Sequence, residues 1–172
     1  MSHQEQAPRT GSSAAAVIDS LEFARIGGRI DGDVPVVALP RLIDLVEDDG
    51  GALSFSLVGG RNPDGKSYLQ LTVEGRLRLR CQRCLRPMDW PVFSCSRLVL
   101  VAPGESWPDE AAADEADPIE ADKAQAVSAL IEDEVLLALP ISPRHERCDL
   151  PAGAGRHGDQ SPFAVLANLK KT

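Results

Sequence analysis

Between Ser67 and Arg80 the chain alternates between apolar and polar positions. Leu69, Leu71, Val73, Leu77 and Leu79 share one parity, and Gln70, Thr72, Glu74, Arg76, Arg78 and Arg80 share the other. A two-residue period of this length predicts a strand with one face on a core and one in water. Gly75 interrupts the row and predicts a bulge. Ala52 to Val58 reads as a preceding strand with Leu53, Phe55 and Leu57 on one face, and residues 59–65 (GGRNPDG) read as a turn. A third strand, from about Asp89 to Val101, returns after the Cys81-to-Pro87 turn, completing an antiparallel meander with one covered face. Cys95 alternates with Phe93 and Val99 and is expected to be a core thiol.

The flanking segments change to helical spacing. Asp19 is placed to cap a short helix, Ser20 to Ile26, that Gly27 and Gly28 end. An extended piece from Arg29 to Ala38 is broken at Pro35, and Pro40 suits the first turn of a second helix, Arg41 to Glu47. Lys123 to Leu139 is the longest helical stretch, stopped by Pro140; Val127, Leu130, Ile131, Val135 and Ala138 form its apolar arc, with Glu134 in the middle. A lone buried carboxylate is costly, so Glu134 is expected to form an ion pair with an arginine such as Arg76 or Arg83. Glu132 and Asp133 point away from the arc and are expected to be solvated. Pro118 to Glu120 reads as a brief strand, and Ser161-Pro162 opens a short helix through Leu169. The expected fold is α+β: an antiparallel sheet with helices covering one face. Residues 1–16 are expected to be a disordered leader, and 17–172 a single domain with a mobile acidic loop at about 103–116.

Composition narrows the chemistry. Of the 172 residues 43% are hydrophobic but only 4% aromatic, so Leu, Val, Ile and Ala must fill the interior. The net charge of −8, from 26 acids against 18 bases, argues against simple electrostatic gripping of nucleic acid. The stretch from Arg61 to Arg97 runs the other way, with eight bases and three acids. Within it Arg76, Arg78 and Arg80 repeat on one strand face every ~7 Å, close to phosphate spacing, and Tyr68 is available to stack a base. Together with Arg83 and Arg86 they form a candidate RNA or partner surface. The competing reading is a solvated face paired with acids of the 105–122 stretch, and opposite charge suggests that the acidic loop occupies the basic face when no partner is present.

Four cysteines carry the other signal. The polar first thirteen residues lack the apolar core of a secretory signal, and no run is long enough to span a membrane. A cytoplasmic location with reduced thiols is expected. Cys81-Gln82-Arg83-Cys84 lies at a turn between strands, where two sulfurs can share a tetrahedral zinc, and His145 with Cys148 is the remaining His/Cys pair at short spacing. Three readings stay open: a zinc site of Cys81, Cys84, His145 and Cys148, reduced thiols without metal, and a redox dithiol. The last lacks the βαβ setting of thioredoxin-like proteins. Walker, GxGxxG, HExxH and GxSxG motifs are absent, and three histidines leave little for acid–base catalysis, so no enzymatic activity is expected.

Three segments together carry a resemblance. Residues 81–84 (CQRC), residues 132–140 (EDEVLLALP) followed by Pro143, His145 and Cys148, and residues 161–170 (SPFAVLANLK) resemble the YceD family of large ribosomal RNA subunit accumulation proteins. Ser161 stands where that family usually carries Asn. The resemblance implies a non-catalytic cytoplasmic factor for synthesis, processing or accumulation of 23S ribosomal RNA. Its partner is expected to be ribosomal RNA, a pre-ribosomal particle or a ribosomal protein, and not a membrane. A protein-binding adaptor that docks through residues 163–169 is the alternative, with a thiol redox protein behind it. The resemblance itself supplies no metal site; zinc rests on the four ligands alone.

Overall fold

The computed structural model describes residues 13–107 and 117–150. The leader before Ser13, residues 108–116 of the acidic stretch and the C-terminal helix expected over Ser161 to Leu169 lie outside the described residues. Ser13–Ala15, grouped above with the leader, forms a 3-10 turn, and Ala14 is buried in the core.

Five strands make the main sheet: β2 (Arg29–Pro35), β3 (Ala52–Arg61), β4 (Ser67–Arg80), β5 (Pro87–Val101) and β6 (Asp117–Glu120), in that spatial order. The first four are antiparallel neighbours, as the alternation requires. β6 instead runs parallel to β5, pairing Leu98 with Asp117. A parallel neighbour needs a connection of about a dozen residues or more, and the acidic stretch supplies that length. A second pairing, invisible to periodicity, joins β1 (Val17–Ile18) to β7 (Gln125–Ala126).

The inner face of β4 is the leucine row read from the sequence; Leu69, Leu71, Val73, Leu77 and Leu79 are all buried. Gly75 makes no bulge. Its pairing with Val92 continues the β4–β5 register unbroken, and the residue is small because Leu53 lies across it: a Cβ there would meet Leu53 Cδ2 at 2.5 Å. β3 also runs further than expected, through Gly59 and Gly60, and the chain turns at residues 62–66. Gly59 sits under helix α1 (Ser20–Arg25), where a Cβ would lie 2.7 Å from Phe23 O. The glycines that suggested a turn are therefore sites of close approach.

Among the described residues, three short α-helices cover that same face. Asp19 caps α1 by accepting from the Glu22 N–H at 3.0 Å, and Gly27, at φ 65°, takes the chain out of it. α2 (Pro40–Ile43) begins on its proline but stops early, because Val46 bridges to Leu79 and the Glu47 N–H donates to Arg78 O. α3 (Val127–Ala138) begins four residues later than expected, since Gln125 and Ala126 belong to β7, and Leu139 turns extended ahead of Pro140. α3 packs on β4 and β5 and closes the core with Val127, Ile131 and Val135.

The acids of α3 reverse the expectation. Glu132 is buried, at 5% exposure, and accepts from Arg41 Nε at 2.7 Å and from the Arg41 N–H at 2.6 Å; Asp133 pairs with the same guanidinium. Glu134, at 6% exposure, has no ion pair among the described residues. It accepts instead from the hydroxyls of Ser94 and Ser96. The reason is placement: Ser94 and Ser96 pair with Val73 and Leu71 on the inner face of β5, while Arg76 stands on the opposite face and Arg83 at the turn beyond the strand. Two serines in an otherwise apolar row receive the carboxylate.

Candidate metal centre and arginine face

β4 ends at Arg80 and β5 begins at Pro87, leaving a six-residue turn. The Cys81 N–H donates to Arg86 O at 3.0 Å and the Leu85 N–H to Cys81 O at 2.9 Å. Leu85 closes this turn in the left-handed region, at φ 60°. The arrangement aims the backbone N–H groups of Arg83 and Cys84 at the Cys81 sulfur. The segment after α3 is fastened to the same turn, because the Gln82 N–H donates to Pro143 O at 2.8 Å and the His145 N–H to Cys81 Sγ at 3.4 Å. Pro140 ends α3 and sends the chain in this direction.

The four ligand atoms of Cys81, Cys84, His145 and Cys148 all lie within 4.8 Å of one another. Cys81 Sγ is 3.7 Å from Cys148 Sγ, and Cys84 Sγ is 3.3 Å from His145 Nδ1. Tetrahedral zinc with ordinary Zn–S and Zn–N bonds has S–S edges of about 3.8 Å and S–N edges of about 3.6 Å. The donor set and its spacing fit a tetrahedral metal ion. Cys81 and Cys84 are buried, and the other two ligands are half-buried.

Protonation is arranged around the sulfurs. Burial pushes the Cys81 thiol up, but the N–H groups of Cys84, His145 and Arg83 outweigh it and hold the thiol down at about 5. The Arg86 N–H lowers Cys84, burial raises Cys148, and the two thiols beside it raise His145. Arg83 and Arg86, placed with the exposed surface by sequence, belong largely to this centre. Arg83 Nε donates to Cys148 Sγ at 3.1 Å and Arg83 Nη2 to His145 O at 3.1 Å, while Arg86 donates to Cys84. Such bonds drain negative charge from ligand sulfurs and fix their direction.

The opposite face of the sheet, which no helix among the described residues covers, holds the rest. Arg76, Arg78 and Arg80 are exposed in a row along β4. Arg80 pairs with Glu47, whereas Arg76 and Arg78 have no ion pair among the described residues. Tyr68 is half-buried across Gly60, and Arg97 lies over its ring with Cζ 4.8 Å from the centroid. Cys95 is exposed on this face, not in the core. The inward parity of β5 carries Met88, Trp90, Val92, Ser94, Ser96 and Leu98, so Phe93 and Cys95 point outward with Asp89 and Arg97. Asp89 and Arg97, sharing the parity of Phe93, were the sequence signal for this orientation.

A family model described as large ribosomal RNA subunit accumulation protein YceD matches residues 69–170, more than half of the chain. The chain belongs to the YceD family. Within that family, the large ribosomal RNA subunit accumulation protein YceD of Haemophilus influenzae is 29% identical over 140 residues, covering 76% of this chain and 78% of that protein. No solved structure matches. The YceD match takes in the Cys81–Arg86 turn, α3 and both distal ligands, so the candidate metal centre lies wholly inside it.

Proposed function

We propose that this chain is a non-catalytic factor supporting accumulation of 23S ribosomal RNA in the bacterial cytoplasm, and that it contacts ribosomal RNA directly through the arginine-bearing face of its sheet. One observation carries the reading: among the described residues, Arg76 and Arg78 stand exposed on a face that no helix covers and have no ion pair, in a protein of net charge −8. Two exposed guanidinium groups without an ion pair, though Glu74 and Asp89 share their face, offer a contact for phosphates. Family membership supplies the class of nucleic acid. No helix among the described residues is long and apolar enough to cross a membrane.

Zinc is the metal we assign to Cys81, Cys84, His145 and Cys148, since three thiolates and an imidazole at tetrahedral spacing are its customary structural set. Bound there, it supplies a fixed crosslink between the β4–β5 turn and residues 145–148. With all four positions filled by protein there is no open site for substrate, which agrees with a structural role.

Affinity purification of the tagged protein from its own cells, with sequencing of the bound RNA and identification of bound proteins, tests the reading. Large-subunit ribosomal RNA should be enriched, and the double variant Arg76→Ala, Arg78→Ala should lose it. In vitro the same variant should bind RNA more weakly and with a salt slope shallower by about one to two units. Recovery of a protein partner alone, unaffected by salt or by the arginine variant, would point to an adaptor instead.

A further inference from the structure

Phe93 lies in the middle of β5 on the arginine-bearing face, directly opposite Glu74 of β4, and is 70% exposed. A single exposed apolar residue is ordinary on a protein surface. Its neighbours make this one informative. The flanking positions on the same face of β5 are Pro91 and Cys95, both exposed, so no apolar side chain beside it on the strand covers the ring. Pro91 is paired with Arg76, which places that guanidinium one pleat from the ring on β4, and Arg78 follows one pleat further. On the other side, Arg97 stands four residues along β5, about 13 Å away. Its Cζ lies over the Tyr68 ring, and its Nε donates to Gln70 Oε1 at 3.2 Å. That exposed guanidinium is a second group over which a base can stack. Between the two surfaces lies a polar strip of Thr72, Gln70 and Cys95.

We infer that Phe93 is the stacking platform for an unpaired base, and that single-stranded RNA lies along β4 and β5 with its phosphates toward Arg76 and Arg78 and a further base over Arg97. The inference rests on the reading of this face as an RNA surface and adds the form of the RNA. Sequence-tolerant binding of single strands combines aromatic or guanidinium planes with arginines that track the backbone, and both occur here along one sheet direction. Double-stranded RNA fits poorly, since its bases are stacked out of reach and its major groove is too narrow for side chains to read. A protein partner is less suited on one count: Glu74, directly opposite Phe93, is of a type depleted from the centres of protein interfaces. Glu74, directly opposite the ring, is an acceptor suited to the amino group of a base rather than to a phosphate.

The test uses the full chain and a short fluorescently labelled RNA of mixed sequence, either single-stranded or annealed to its complement, with binding read by anisotropy. Phe93→Ala should weaken binding of the single strand roughly tenfold or more. Phe93→Trp should restore it, and thermal midpoints should stay unchanged because the ring is exposed. The annealed RNA should bind more weakly than the single strand and ignore Phe93→Ala. Unchanged single-strand affinity in Phe93→Ala, or an equal loss with the duplex, would overturn the platform. If Arg76→Ala and Arg78→Ala weaken binding while Phe93→Ala does not, the platform falls and RNA contact by the face stands. If the native protein holds neither RNA, both fall.

Discussion

Cys81 Sγ and Cys148 Sγ lie 3.7 Å apart although 67 residues separate them in the chain. The first sits at the end of a fourteen-residue strand, the second in an irregular segment beyond the last described helix. What brings them together is backbone: the Gln82-to-Pro143 hydrogen bond and the His145 N–H on the Cys81 sulfur. A metal ion bound there would reinforce a contact the chain already makes.

One zinc per chain is therefore expected by elemental analysis of protein purified without chelator. Cys81→Ser or Cys148→Ser should lose that zinc and lower the thermal midpoint. Cys95→Ser, exposed and remote from the ligands, should keep the metal and shift stability by less than about 0.5 kcal/mol.

Metal affinity should fall with acidity, because every ligand must give up its proton to bind. Burial keeps the Cys148 proton on to higher pH than usual, and the neighbouring thiols do the same for His145. Titration calorimetry near neutral pH in buffers of different ionisation enthalpy should thus reveal net proton release. In the metal-free protein the sign is the same for Cys81. Its folded thiol titrates near 5, so the stability it contributes is full above the ordinary thiol range and is lost as pH falls through about 5. Chemical denaturation of the metal-free protein across that interval would record the loss.

Arg41 and Glu132 supply a sharper contrast. Arg41→Ala leaves a buried carboxylate with only a backbone N–H partner and should cost about 2 kcal/mol or more in urea denaturation. Asp133→Ala removes the exposed half of the same arrangement and should cost less than about 1 kcal/mol.

At Glu134 the hydroxyls, not an arginine, decide stability. Replacing both Ser94 and Ser96 with Ala strips the buried carboxylate of its donors and should destabilise the fold by about 2 to 4 kcal/mol. Arg76→Ala should leave the urea midpoint unchanged. A large loss in Arg76→Ala would restore the ion-pair view.

Packing at Gly59 can be checked with one methyl group. Its Cβ position falls on the Phe23 carbonyl and the Ala24 Cα, both main-chain atoms that cannot rotate away. Gly59→Ala should cost about 1 to 3 kcal/mol by thermal denaturation.

Strands announced themselves where one parity was cleanly apolar. β4 could be read residue by residue because its polar side is charged or amide-bearing almost throughout. β5 could not: its inward row contains Ser94 and Ser96, and its outward row contains Phe93 and Val99, so hydrophobicity alone assigns the wrong side to Cys95. The serines are explained only by Glu134, which arrives from a helix 40 residues downstream. Glu132 was misplaced for a similar reason. Helical spacing ranks faces within α3 but says nothing of Arg41 approaching from α2. The metal ligands were legible as residue types and spacing, whereas the bonds of Arg83 and Arg86 to ligand sulfurs required the turn's geometry.

The order of residues in the proposed metal centre also sets an order of events on the ribosome. Strands β2 to β5 pair with sequence neighbours and can form as the chain emerges, with α1 and α2 already present, yet the part of their inner face that lies under α3 stays bare until that helix follows. His145 and Cys148 emerge later still, so a nascent chain holds two sulfurs of the set and a partly exposed interior at the same moment. The last two ligands of the tetrad thus follow α3 in the chain, and the proposed zinc ion, held by all four, would mark a molecule that has passed its most aggregation-prone stage.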